Sequence, residues 1–219
     1  MDVVIAGGHG KIALQLAALL ACRGDVVTSV VRNPDHRGDV ETAGATPVVL
    51  DLESVSVREL ADHVAGADAV VFAAGAGPGS TAERKDTVDR AAAVLLADAA
   101  EQAGVARYLL VSSTGVDAPP APGTDKVWAA YLRAKKAAEH AIRATDLAWT
   151  ILRPGRLTDD PAVGKVLLAP PPVGLGTVTR GDTAAVLAAL LDTPGTAGKL
   201  LELREGDVEV LEAVTAMSS

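Results

Sequence analysis

Three groups of residues in this 219-residue sequence have the types and spacing for chemistry. The first is Gly7, Gly10 and Ala13, a G-x-x-G-x-x-A pattern that includes His9, Lys11 and Ile12. It follows the apolar run Val3-Val4-Ile5-Ala6 and opens a helical pattern in which Ile12, Leu16, Leu19 and Leu20 share one face. A tight strand-to-helix turn needs backbone angles that glycine reaches cheaply. Bare glycine also lets a pyrophosphate approach the N–H groups at the helix start. Ala13 lets the helix pack close to the strands. In this context, first strand into first helix, the loop is expected to bind a dinucleotide, with Gly7, His9, Gly10, Lys11 and Ile12 bordering it.

The second group sets which dinucleotide. An NAD site has an acidic residue at the end of the second strand, bonded to the ribose 2′-hydroxyl. Here that strand ends Val30-Val31-Arg32-Asn33. A guanidinium at Arg32 suits a 2′-phosphate, and no carboxylate there repels one. His9 and Lys11 add positive charge nearby. NADP(H) is therefore preferred over NAD(H).

The third group is hydroxyl and amine. Tyr131 and Lys135 stand four residues apart within a helical pattern, on one face and one turn apart. An ammonium near a phenol favours the phenolate and brings it toward the range of an acid/base catalyst. Ser112-Ser113-Thr114 ends a strand, where a hydroxyl can hold a carbonyl oxygen while hydride arrives at its carbon.

These groups need a scaffold that gathers strand ends. Apolar runs at 3–6, 26–31, 47–50, 68–74, 107–111, 149–152 and 199–203 read as strands. Helical patterns separate them: a short one near 40–43, one to Val64 opened by the capping box Ser56-Val57-Arg58-Glu59, and one over 86–103 stopped by Gly104. Further helices are expected over 127–144, from Asp182 as cap to Leu191, and near 210–216. Strand–helix alternation at this pitch implies an α/β fold with a doubly wound, mostly parallel sheet and a ligand crevice at the C-terminal strand ends. The chain reads as one domain over 1–219. The irregular 153–180 stretch is a small substrate-side region within it. Loops are expected through Ser80 and over 118–123.

Composition narrows the function classes. Net charge is −8 without a basic stripe, so no nucleic-acid partner is expected. No apolar run is long enough for a membrane span, and the N-terminus lacks signal-peptide character, so a cytoplasmic protein is expected. Only 2% of residues are aromatic, so the core must be Ala, Val and Leu. One cysteine, Cys22, expected in the core, and four histidines without zinc spacing leave no metal site expected. No G-x-S-x-G elbow exists for a hydrolase. Trp128 and Trp149 read as packing residues, and Asp89 as a fastener of backbone near the crevice.

The chain resembles the short-chain dehydrogenase/reductase superfamily, in its atypical NAD(P)H-binding, flavin-reductase-like and NmrA-like branch. The resemblance runs through the glycine loop, Asp51-Leu52, Ala73-Ala74-Gly75, Val88-Asp89, 104–108, Val111-Ser112-Ser113, Tyr131 to Lys135, 149–155 and 179–182. It implies a Rossmann fold with Asp51 and Leu52 bordering the adenine. Ala73, Ala74 and Gly75 would line its ribose and the pyrophosphate, and Lys135 would bond the nicotinamide ribose. Pro154, Gly155 and Arg156 would lie beside the nicotinamide. The family spacing selects Ser113 over Ser112 as the catalytic hydroxyl, with Thr114 a weaker candidate. The catalytic set is then Ser113, Tyr131 and Lys135. Two functions follow as expectations. One is an NADP(H)-dependent oxidoreductase passing hydride to a small carbonyl, quinone or flavin-type acceptor. The other is a non-enzymatic NADP(H) sensor of the NmrA-like type. A small molecule is the expected partner. Arg156 and Arg180 could meet an anionic group or be structural.

Overall fold

The computed structural model describes every residue except Pro78, Pro120, Pro122 and Ser219, so parts of the expected proline loops lie outside the described residues. Strands are β1 (Asp2–Ala6), β2 (Val26–Val31), β3 (Thr46–Val49), β4 (Ala69–Phe72), β5 (Arg107–Val111), β6 (Ala148–Pro154), β7 (Arg156–Thr158), β8 (Lys165–Ala169), β9 (Thr177–Thr179), β10 (Lys199–Glu205) and β11 (Val208–Glu209). Helices are α1 (Lys11–Cys22), α2 (Arg37–Thr42), α3 (Val57–Val64), α4 (Ala82–Arg84), α5 (Ala92–Ala103), α6 (Lys126–Arg143), α7 (Arg180–Leu191) and α8 (Val210–Thr215). A π-helical segment, Lys85–Ala91, joins α4 to α5.

Nine strands form one sheet in the order β11-β8-β10-β6-β5-β4-β1-β2-β3. The run from β10 to β3 is parallel, while β8 runs antiparallel to both β10 and β11. The chain starts at β1, winds outward through β2 and β3, then returns to β4 on the other side of β1. That reversal opens a crevice between β1 and β4 at their C-terminal ends. The expected doubly wound Rossmann architecture is therefore the observed one.

Alternation along β1 shows why both faces are covered. Val3 and Ile5 point into one core with Leu16 and Leu20 of α1 and Leu187 of α7. Val4 and Ala6 point into the other, with Leu60 of α3, Leu96 of α5 and Ile142 of α6. Both cores are built mainly of Val, Leu, Ala and Ile, and the fully buried aromatics among the described residues, Phe72 and Tyr108, both lie in the second. The Tyr108 hydroxyl donates to the Ala93 carbonyl at 2.8 Å, which satisfies it.

The capping box is observed: the Ser56 hydroxyl accepts from Glu59 N–H at the start of α3. Gly104 ends α5 at φ 74°, in the left-handed region. Several expectations need correction. The cap of α7 is Thr179 and not Asp182; the Thr179 hydroxyl accepts from Asp182 N–H at 2.9 Å. The buried Asp182 carboxylate instead takes the N–H groups of Val163 and Gly164 at 3.2 and 2.8 Å. The stretch over 153–180 is not irregular. It holds β7 and β9, paired in a small parallel sheet, and β8 of the main sheet. Helix formation after β4 starts at Ala82, capped by Thr81, and not at Asp86. Cys22 is exposed, because the buried stripe of α1 is Ile12, Ala13, Leu16, Ala17 and Leu20.

Candidate cofactor crevice and hydroxyl–amine cluster

Glycine is required at the turn from β1 into α1. Gly7 has φ +84°, and a Cβ there would stand 2.5 Å from the Cα of Ala74. Gly7 and Gly8 both donate N–H to the Val30 carbonyl, fastening the loop to β2. Gly10 is the N-cap of α1 and supplies no side-chain acceptor, and no acidic residue stands in the first turn. Leu14 is the first residue of α1 whose N–H finds an intrahelical partner, the Gly10 carbonyl. The N–H groups of Lys11, Ile12 and Ala13 thus lack an intrahelical partner, which suits this terminus to an anion. The Ile12 side chain itself packs into the core.

A crevice of about 540 Å³ opens beside this terminus. Gly7, His9, Gly10 and Lys11 form its floor; Arg32, Asp51 and Leu52 form one wall. Ala73, Ala74 and Gly75 form the facing wall. Ten of the sequence-predicted cofactor residues therefore meet in one cavity. Ile12, Lys135, Pro154, Gly155 and Arg156 are not on its lining. Gly155 serves packing: a Cβ there would lie 2.5 Å from the Gly176 carbonyl oxygen.

The positive charges expected of the loop are paired. Lys11 Nζ lies 2.6 Å from Asp159, which also takes Arg180 at 2.8 Å. Arg180 thus has a structural partner in the region beyond β6. His9 bonds Asp39 at 2.8 Å and stacks on His36, ring centroids 3.5 Å apart. Arg32 is exposed and pairs with Glu53 at 3.1 Å.

Next to the crevice lies the Lys135 ammonium of α6. Lys135 is buried, donating to the Val111 carbonyl at 3.0 Å and standing 3.4 Å from Asp89. It also reaches the carbonyl of Ala74, a crevice residue, at 3.5 Å. Asp89 is fully buried and accepts from Ala76 N–H at 3.2 Å, so it does fasten backbone at the crevice rim. Tyr131 shares the face of α6 with Lys135, but the ammonium sits 5.9 Å from the ring centroid rather than on the hydroxyl. No hydrogen bond to the Tyr131 hydroxyl occurs among the described residues. Trp128, expected as a packing residue, is half exposed and stacks on Tyr131 at 5.0 Å.

Ser112 and Ser113 diverge. The Ser112 hydroxyl is buried and donates to Glu139 at 2.6 Å. Ser113 is half-buried, and its hydroxyl donates to the neighbouring Thr114 carbonyl at 3.1 Å.

Sequence reasoning missed Lys85, Arg84 and Glu53. Lys85 is buried, donates to the Gly77 carbonyl at 2.9 Å, and stands 5.4 Å from the Tyr131 ring centroid. Glu53 and Arg84 both line the crevice, bonded at 2.6 Å. A local signal existed only for the helix start that precedes Arg84 and Lys85, since Thr81 followed by Glu83 is an N-cap with an acid in the first turn; none existed for how Arg84 and Glu53 meet.

A model of the NAD(P)H-binding family matches residues 7–194. The chain is 32% identical over 215 residues to a protein named uncharacterized sugar epimerase, from Bacillus subtilis (strain 168), covering 98% of this chain and 99% of that one. Among solved structures it is similar to a protein of Bacillus halodurans provisionally named an NAD-dependent epimerase/dehydratase, at 33% identity and TM-score 0.91 over 99% of both chains. It is also similar to the oxidoreductase ylbE of Lactococcus lactis, at 26% identity and TM-score 0.85 over 99% of this chain and 96% of that one. No helix among the described residues is long and apolar enough to cross a membrane.

Proposed function

The chain belongs to the NAD(P)H-binding family, and from that premise we propose that it is an NADP(H)-dependent oxidoreductase of the atypical short-chain type. Its acceptor would be a small carbonyl, quinone or flavin-type molecule, and the 153–180 region would form the substrate side of a single domain. One observation carries the reading: the uncapped N-terminus of α1, Arg32 and the Lys135 ammonium meet at or beside one crevice.

The residues present fit a nicotinamide dinucleotide. The cavity has the size of a small-molecule cleft. The free N–H groups of α1 suit its pyrophosphate, and apolar Leu52 and Val31 flank the place for an adenine. Arg32 supports a 2′-phosphate over a bare ribose. Bound NADPH supplies the hydride, while the protein supplies position and electrostatics. Tyr131 donates the proton to the developing alkoxide oxygen. Lys135, fixed by Val111 and Asp89, would hold the ribose, with its ammonium 5.9 Å from the Tyr131 ring centroid. Ser113 orients the substrate oxygen; Ser112 is committed to Glu139, which supports the choice between them.

The test is a screen of NADPH oxidation against aldehydes, ketones, quinones and free flavin. Wild type should turn over at least one acceptor, and Tyr131→Phe should lower kcat by about a hundredfold or more while cofactor affinity stays. Equal rates in the two proteins would remove Tyr131 as the acid. The names of two relatives favour a variant reading in which hydride returns to the same molecule, an epimerase. That variant would isomerise a sugar with no net NADPH oxidation, which proton NMR of the product distinguishes.

A further inference from the structure

At the β3 end of the crevice one carboxylate holds two guanidiniums from two other elements. Glu53, in the turn after β3, accepts from Arg32 at 3.1 Å, from Arg84 at 2.6 Å, and from the Thr87 hydroxyl at 2.6 Å. Arg32 follows β2 and Arg84 ends α4, so two separate segments converge on the carboxylate of a third. Arg32, Glu53 and Arg84 all line the cavity. The other acid on this wall, Asp51, is committed to the turn, where it accepts the N–H of Glu53 at 3.0 Å.

We propose that Glu53 is a built-in counter-anion seated where the 2′-phosphate of NADP(H) goes, and that Arg84 is a second phosphate-reading residue beside Arg32. This deepens the dinucleotide reading above and rests on it. Both guanidiniums lean on Glu53, with the Asp51 carboxylate adding its charge beside Arg84, and where Glu53 brings one negative charge a phosphate monoester brings nearly two. Its three oxygens can take both guanidiniums in the manner a carboxylate does. The present pairs are partly solvated, with Arg32 56%, Arg84 36% and Glu53 24% exposed, so opening them is inexpensive. Hydrogen bonds from Arg84 and Thr87 hold the Glu53 carboxyl below its ordinary range, so it stays ionised at neutral pH. Only another anion displaces it. Glu53 thereby lowers the affinity for phosphate while keeping Arg32 and Arg84 aligned in the free protein, and a nucleotide with a bare 2′-hydroxyl leaves the cluster closed.

Calorimetric titration with adenosine 2′,5′-bisphosphate and adenosine 5′-monophosphate tests this on wild type, Glu53→Gln and Arg84→Ala. Glu53→Gln should bind the bisphosphate several-fold more tightly and the monophosphate about as wild type does. Arg84→Ala should lose about tenfold or more for the bisphosphate alone, the scale of one charge-assisted hydrogen bond. The monophosphate is the internal control for folding. Weaker monophosphate binding by Glu53→Gln would mean that Glu53 reads the ribose hydroxyl, which overturns the proposal. An unchanged bisphosphate-to-monophosphate ratio in Arg84→Ala overturns it as well. A wild type that binds neither nucleotide would instead overturn the dinucleotide reading itself.

Discussion

Gly7 and Gly10 are the same residue type under different constraints. At Gly7 an added Cβ would meet the backbone of Ala74, at a φ of +84° that side chains rarely adopt. Gly7→Ala should therefore cost about 2–3 kcal/mol or more in urea unfolding and weaken nucleotide binding with it. At Gly10 the nearest atom is the Gly7 carbonyl oxygen at 3.2 Å, and φ is −61°. Gly10→Ala should keep most of the stability and lose mainly the approach of the pyrophosphate, so the two variants separate by comparing melts with binding. Equal stability losses would show that both glycines serve packing. The glycine loop was legible because what its turn requires is written over a few consecutive positions, and the place of Arg32 on the cavity lining followed from the end of β2. Glu53 and Arg84 were not, since their partnership spans 31 positions and exists only once β3 and α4 are side by side. Lys85 was hidden for the same reason: nothing local shows that it turns inward.

Elements follow from local pattern where one face is buried and caps are conventional. That held for α3 with Ser56, for α5 with Gly104, and for the strands from β1 to β6 and β10. It failed for the helix after β4, which starts at Ala82 and passes through the π segment Lys85–Ala91 before α5, a change of hydrogen-bonding that apolar periodicity does not encode. It failed again for β7 and β9, three residues each, too short to show alternation. Asp182 shows what a misread cap does. Its carboxylate takes the Thr179 hydroxyl and two backbone N–H groups of the turn before β8. Asp182→Ala leaves those donors without acceptors and should destabilise by on the order of 2–4 kcal/mol in denaturant titration. A loss below about 0.5 kcal/mol, the level of a surface change, would show that water replaces the carboxylate freely.

Across the whole molecule, buried arginines tie the sheet to its helices. Arg107, at the start of β5, donates to carbonyls of Ala148 and Leu190 and to hydroxyls of Thr150 and Thr196, with burial lowering its pKa to about 10. Arg153, on β6, bonds Glu139 of α6 at 2.6 and 2.7 Å and Asp117 at 2.5 Å. Hydrogen bonds from Arg153 and then Lys136 hold the Asp117 carboxyl at about 2. A carboxyl depressed in the folded state contributes stability above its unfolded pKa and loses it as pH falls toward the folded value. Asp117 should therefore contribute to acid unfolding between about pH 4 and 2. The Asp117→Asn variant should show a shallower loss of stability across that window, followed by circular dichroism; identical acid profiles would remove Asp117 as a contributor. Such ties were not legible, because each joins residues that only the assembled sheet brings together.

The exposed position of Cys22 has a practical consequence. It is the sole thiol of the chain, and it ends the helix whose other end faces the crevice. Twelve residues of α1 put about 18 Å between them. A maleimide fluorophore attached at that sulfur would stand clear of the nucleotide seat yet within energy-transfer range of a reduced nicotinamide ring. Coenzyme arrival and departure could then be timed optically on otherwise unaltered protein.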